Sequence, residues 1–261
     1  MIRPRATFLW LFPLVLFGFA YVDKEQNASG GDWRRASREP IGLAPSPADT
    51  ADPVVQVYAA RAVRWRGYFG VHTWVSVKAH GAPHYTTYEV NGWRLRGSGT
   101  SVSISDRPPD SRWFGNAPTL IADLRGEAAA DAIAKIEAAA ASYPFAGTYR
   151  VWPGPNSNTF IAHVLRHVPE LKADLPPTAI GKDYLGDGFF ARSPSGTGAQ
   201  FSAWGVVGVL AGLEEGLELN VLGLTFGLDP LDLAIKLPLA GSLGWPRDPV
   251  AAAPATEATG A

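Results

Sequence analysis

The chain has 261 residues, 46% hydrophobic and 18% charged, with a net charge of −1, which excludes a disordered chain and leaves no basic field for nucleic acid. It has no cysteine, so disulfides, thiolate metal sites, cysteine acylation and cysteine catalysis are excluded together. The five histidines, His72, His80, His84, His163 and His167, form no HExxH-type pair. His163 and His167 stand four apart and read as two solvated residues on a helix face, so no metal and no cofactor is expected.

Arg3 and Arg5 precede an uncharged apolar run from Phe8 to Val22, the pattern of a secretory signal or a signal anchor. The run is shorter than the ~20 residues that cross a bilayer comfortably. Gly18 and Ala20 offer the small residues of a cleavage site, whereas Trp10 and Tyr21 suit interfacial anchoring, and both readings stay open. Either one sets the rest of the chain outside the cytoplasm, in the periplasm or at the periplasmic face of the inner membrane. Residues 23–53 are polar, with Gly30-Gly31, Ser46-Pro47 and Asp52-Pro53, and read as a flexible linker.

The domain proper is expected over 54–246. Val54 to Val63 has strand composition, and His72, Trp74, Ser76 and Lys78 alternate with Val71, Thr73, Val75 and Val77. His84 to Val90 reads as the next strand, with Asn91-Gly92 as a hairpin turn into Trp93 to Arg96. Residues 98–118 read as loop. Ala129, Ile133, Ile136 and Ala140 fall at helical spacing within Glu127 to Ser142, and Tyr149 to Trp152 reads as a short strand.

Asn156 is a good N-cap for a second helix opening at Ser157, whose stripe is Phe160, Ile161, Val164, Leu165 and Val168. Asn158, Thr159, His163 and Arg166 are expected to turn away from that stripe. Leu175 to Tyr184 is a rigid loop. Trp204 to Leu213 and Leu217 to Leu228 are apolar runs whose alternation favours strands, with a surface lying against the bilayer as a second reading. Residues 247–261 read as a disordered tail. The fold class is therefore α+β, an antiparallel sheet with packed helices.

A hydroxyl at a helix N-terminus facing a histidine on a neighbouring strand is the minimal arrangement for acyl transfer. His72 as base and Ser157 as nucleophile are the candidates, with His84 as orienting group and Glu89 as its substitute. Trp74, Trp152 and Tyr149, with Asn156 and Asn158, are the candidate groove residues for substrate.

Gly70-Val71-His72-Thr73-Trp74-Val75 resembles the histidine strand of permuted papain-like proteins: the NlpC-like peptidases, the PPPDE peptidases and the lecithin retinol acyltransferase group. Pro155-Asn156-Ser157-Asn158-Thr159-Phe160 resembles their Asn-Cys helix start, with Ser157 in the cysteine position. The run Leu175 to Tyr184, with Gly212 to Leu219, is more closely similar to a bacterial family known as domain of unknown function 3750. The superfamily resemblance implies a permuted papain-like (NlpC-like) fold and, if catalytic, a serine-dependent amidase, peptidase or acyltransferase. Its substrate would be an amide or ester of the envelope, a peptidoglycan peptide or a lipid. A serine hydroxyl does not rest ionised as a thiolate does, so the alternative is a non-catalytic ligand-binding or membrane-associated scaffold domain.

Overall fold

The computed structural model describes residues 34–245; the segment 1–22, read above as a targeting signal, and 247–261, read as a tail, lie outside the described residues. Mixed α+β architecture is present, built on two antiparallel sheets.

The first sheet contains β1 (Val54–Arg61), β2 (Val71–Lys78), β3 (Thr86–Val90), β4 (Val102–Ser105) and β5 (Thr119–Arg125), in the order β4-β3-β2-β1-β5. Strand alternation sorts its residues onto two faces. Val55, Val57, Val75, Val77, Tyr88, Val90, Ala122 and Leu124 line one face. Against it pack α2 (Gly126–Ala141), through Ala129, Ala132 and Ile136, and α3 (Ser157–His167), through Phe160, Ile161, Val164 and Leu165. Each of these larger side chains gains roughly 1.5–3 kcal/mol on leaving water.

The opposite face carries Gln56, Tyr58, His72, Trp74 and Ser76, and loops cover it. Residues 37–53, expected to be a flexible linker, are held against these loops: Leu43 N donates to Asp110 Oδ2 (2.6 Å), Gly115 N to Ser37 O (2.9 Å) and Tyr85 Oη to Pro45 O (2.9 Å). Polar composition misled here because the partners of these backbone groups lie forty or more residues away.

Asn91-Gly92 is not a hairpin turn. Asn91 is extended (φ −130°), whereas a type I′ turn needs left-handed backbone at both positions. The chain continues into a 3-10 turn (Gly92–Arg94) and one turn of helix, α1 (Leu95–Ser98). Gly92 is required for another reason, since a Cβ there would meet the Tyr149 ring at 2.6 Å. Tyr149 to Trp152 forms bends rather than a strand, and β4 and β5 arise from segments expected to be loop or left unassigned.

The second sheet is a seven-stranded meander: β6 (Phe190–Arg192), β7 (Gly198–Ala203), β8 (Val207–Gly212), β9 (Gly216–Val221), β10 (Leu224–Asp229), β11 (Ala234–Leu237) and β12 (Gly241–Leu243). Trp204 falls in the β7–β8 turn rather than in a strand. The polarity of this sheet is inverted. Gln200, Ser202, Glu218, Asn220, Thr225, Asp229 and Lys236 are buried, while the alternate apolar side chains face outward.

Candidate functional site

His72 is buried on the loop-covered face of the first sheet. Its ring stacks on Trp113 at 3.7 Å between centroids, and its Nε2 lies 2.8 Å from Glu89 Oε2. Burial holds the His72 pKa below the usual imidazole value, against the upward pull of Glu89. For Glu89, burial works to raise the pKa, but the His72 hydrogen bond and the Arg107 charge bring it below the usual carboxylate range. A neutral imidazole next to an ionised carboxylate must then donate its Nε2 proton to Glu89. Arg107 stands 3.6 Å from Glu89 Oε2 and lies over the Trp74 ring at 4.6 Å.

Ser157 opens α3 on the other side of the sheet. Thr73, the neighbour of His72 in β2, points the opposite way and donates its Oγ1 to Asn158 Oδ1 (3.0 Å) and Ser157 O (3.3 Å). His72 instead shares its face with Ala60, its register partner, and with Trp74 and Trp113. The two candidates for acyl transfer are therefore separated by the sheet, and the His72–Ser157 dyad is not formed. Helix α3 packs where the valines of β2 are, which leaves the histidine set facing away.

His84 does not approach His72. Val77 pairs with Thr86, so His84 lies past the far end of β2, roughly 20 Å along the strand from His72. There it lines an exposed surface pocket with Pro45 and Tyr85. Glu89 takes the position beside the imidazole. Trp74 is fully buried, stacked on Tyr58, with its Nε1 donating to Pro109 O, and lines no groove.

The Asn-Ser-Asn-Thr-Phe motif has a structural account. Asn156 and Thr159 form a reciprocal capping box, and Asn156 Nδ2 also donates to Val151 O and Ile180 O. Asn158 Nδ2 clamps Val71 O (3.1 Å) and Ile180 O (2.8 Å), and Thr159 Oγ1 donates to Gly181 O. Asn158 and Thr159, expected to turn outward, are buried by these clamps. His163 is likewise half-buried, with Nε2 on Ala139 O, and burial lowers its pKa to about 4. Arg107 and Trp113 were not singled out from sequence, because nothing local marks a loop residue that will close over a distant strand. Among the described residues no group of three or more His, Asp or Glu side chains could hold a metal.

The second sheet presents a different kind of surface. Its register aligns the outward side chains in continuous rows: Phe190, Phe201, Val209, Leu219, Phe226 in one, and Ala199, Ala211, Leu217, Leu228, Ile235, Leu243 in another. A third row joins Ala203, Val207, Val221 and Leu224. Arg192, on the edge strand, is the one charge in register with these rows.

Beneath the sheet the charges are matched. Lys182 Nζ binds Glu218 Oε2 (2.6 Å), and Lys236 Nζ binds Glu218 Oε1 (2.8 Å) and Asp174 Oδ2 (2.6 Å). Gln200 and Asn220 donate to the two oxygens of Asp183. At the hairpin tips, Trp204 (φ 53°) and Leu222 (φ 56°) occupy left-handed backbone and remain exposed. Asn or Gly is the usual residue at such positions, and a bulky side chain there costs about 1 kcal/mol. Among the described residues no helix is long and apolar enough to cross a membrane.

No curated protein and no solved structure matches the chain. A protein-family model described as "Protein of unknown function (DUF3750)" matches residues 52–184, which span the first sheet, α2, α3 and the loop bearing Lys182, and stop short of the second sheet. The chain belongs to the DUF3750 family.

Proposed function

We propose that this protein is a membrane-surface domain whose seven-stranded sheet lays its apolar face on a lipid bilayer, while the five-stranded unit stays in water as a non-catalytic body. One observation carries the reading: apart from Arg192 at the edge the outward rows are hydrocarbon, and Glu218 and Lys236 of the same strands are turned inward and paired. In a sheet covered by water the arrangement would be reversed. Covering about half of each of a dozen such side chains is worth roughly 1 kcal/mol apiece, on the order of 10 kcal/mol in total.

Several features favour lipid over a protein partner. A protein interface carries about one hydrogen bond per 100–200 Å², and these rows offer almost no hydrogen-bonding group. The exposed Leu222 and Trp204 tips keep apolar side chains at a conformational cost that a soluble turn would avoid. The strands are three to six residues long, short of the 9–11 of a spanning strand, and the sheet has open edges. The sheet therefore rests in the interfacial layer with only its side chains in hydrocarbon. The N-terminal apolar run would supply a second anchor at the periplasmic face of the inner membrane.

The order of elements, a histidine strand before a helix headed by Asn-Ser-Asn-Thr-Phe, keeps the likeness to permuted papain-like proteins. We read it as a likeness of fold without the chemistry, since His72 and Ser157 lack a common face.

The absence of cysteine permits a direct test. Full-length Phe226→Cys and Ala134→Cys proteins, each carrying an environment-sensitive fluorophore, are mixed with lipid vesicles. The probe at 226 should shift to the blue and be quenched by nitroxide lipids, while the probe on the exposed face of α2 stays in water. Equal solvation of both probes would refute the proposal. So would a shift at 226 that appears without lipid and tracks a doubling of mass, because a second copy would then be what covers the face.

A further inference from the structure

The apolar face has two unlike ends. At one end the turns at 204–205, 222–223 and 238–240 abut the first unit. Trp152 Nε1 donates to Leu222 O, and Arg61 Nη2 to Leu239 O, both at 2.9 Å. Gly205 lies so close to Pro153 O that a Cβ there would stand 3.2 Å away. These contacts draw two segments of the first unit to that end: residues 61–69, with Arg64, Trp65 and Arg66, and residues 149–153, with Arg150 and Trp152. The two segments adjoin the same loop, since Val71 N donates to Thr178 O while Asn156 Nδ2 donates to both Val151 O and Ile180 O.

Arg64, Arg66 and Arg150 are exposed, and so are Trp65, Trp152 and Trp204. Among the described residues none of these three arginines is in an ion pair. Neither segment, nor any of the three turns, contains an Asp or Glu. The other end of the sheet has Glu214, Glu215 and Asp232 in its turns, with both glutamates buried and Arg192 on the edge strand beside them.

We infer that the basic end is a headgroup rim: Arg64, Arg66 and Arg150 bind the phosphates of anionic lipids, with Trp65, Trp152 and Trp204 seated among the headgroups. The inference rests on the bilayer-docking reading and adds the lipid class that the surface selects. Arginine suits this task because its planar fork of donors matches phosphate oxygens. With the arginines at this end, the sheet lies with its 222–223 turn closest to the anionic headgroups.

The full-length protein with the fluorophore at Phe226→Cys is titrated with vesicles of phosphatidylcholine alone and of phosphatidylcholine mixed with phosphatidylglycerol. The mixed vesicles should bind more tightly, and the advantage should shrink as salt rises. The R64Q/R66Q/R150Q variant should lose about 100-fold in affinity for the mixed vesicles, at about 5-fold per arginine, with its affinity for phosphatidylcholine alone unchanged. Equal binding to both vesicles, or a preference that survives in the triple variant, overturns the headgroup rim and leaves the docking reading standing. A probe that responds to neither vesicle overturns both.

Discussion

The two sheets of this protein solve the same problem in opposite ways. The five-stranded sheet is buried on both faces, one under α2 and α3 and the other under loops, and its polar residues are absorbed in local pairs such as Gln56–Asp123 and His72–Glu89. The seven-stranded sheet buries one face only, and that face is the polar one. Burying matched charges gives little net stability, because desolvation offsets most of the attraction. The arrangement is thus hard to account for as a folding device, and makes sense if the outward face has hydrocarbon to meet.

The contrast is sharpest at adjacent residues of β11. Lys236→Met should cost about 3–5 kcal/mol, because Glu218 loses one of its two cations and Asp174 loses the lysine it binds, whereas Ile235→Ser next to it should stay within about 0.5 kcal/mol. Urea denaturation of the two variants checks this, and equal losses would mean that the faces are not as different as they look.

In the first unit Asn158→Ala should cost about 1–3 kcal/mol, since Val71 O and Ile180 O lose a donor that no water replaces easily. Ser157→Ala should be close to neutral by the same measurement, which separates a clamp from a nucleophile. Leu222→Asn should do the reverse of an ordinary loop substitution. It should raise stability by up to about 1 kcal/mol in thermal unfolding, by relieving the left-handed leucine, and should weaken vesicle binding.

The smallest effect is a pH slope. His163 has a folded pKa near 4 against an unfolded value of 6.5, so the unfolded chain binds the extra proton between those values and stability falls as pH drops from about 6.5 to about 4. His72 is lowered in the same direction and contributes with the same sign. Denaturation of His163→Gln at pH 7 and pH 5 should show a shallower loss than the parent, and an unchanged slope would remove His163 from the account.

Much of the first unit was legible because local rules governed it. Alternation placed β1 and β2, and the Asn156 cap with its apolar stripe placed α3. The separation of His72 from Ser157 was legible too, from the same alternation. The helix stripe must pack on the valines of β2, and His72 is on the other parity. Hairpin register likewise sets residue 91 rather than His84 opposite His72. Both relations follow from strand geometry alone.

By itself the sequence determined the α+β class, the two long helices, most strands of the first sheet and the absence of thiol chemistry, since each follows from local periodicity or composition. Only the tertiary structure decided which parity of the second sheet's strands is inward. In β9 the leucines alternate with Glu218 and Asn220, and either set could face the body of the protein. Lys182 and Lys236 decided it by pairing with Glu218 across gaps of thirty-six and eighteen residues, an electrostatic match that no local window contains.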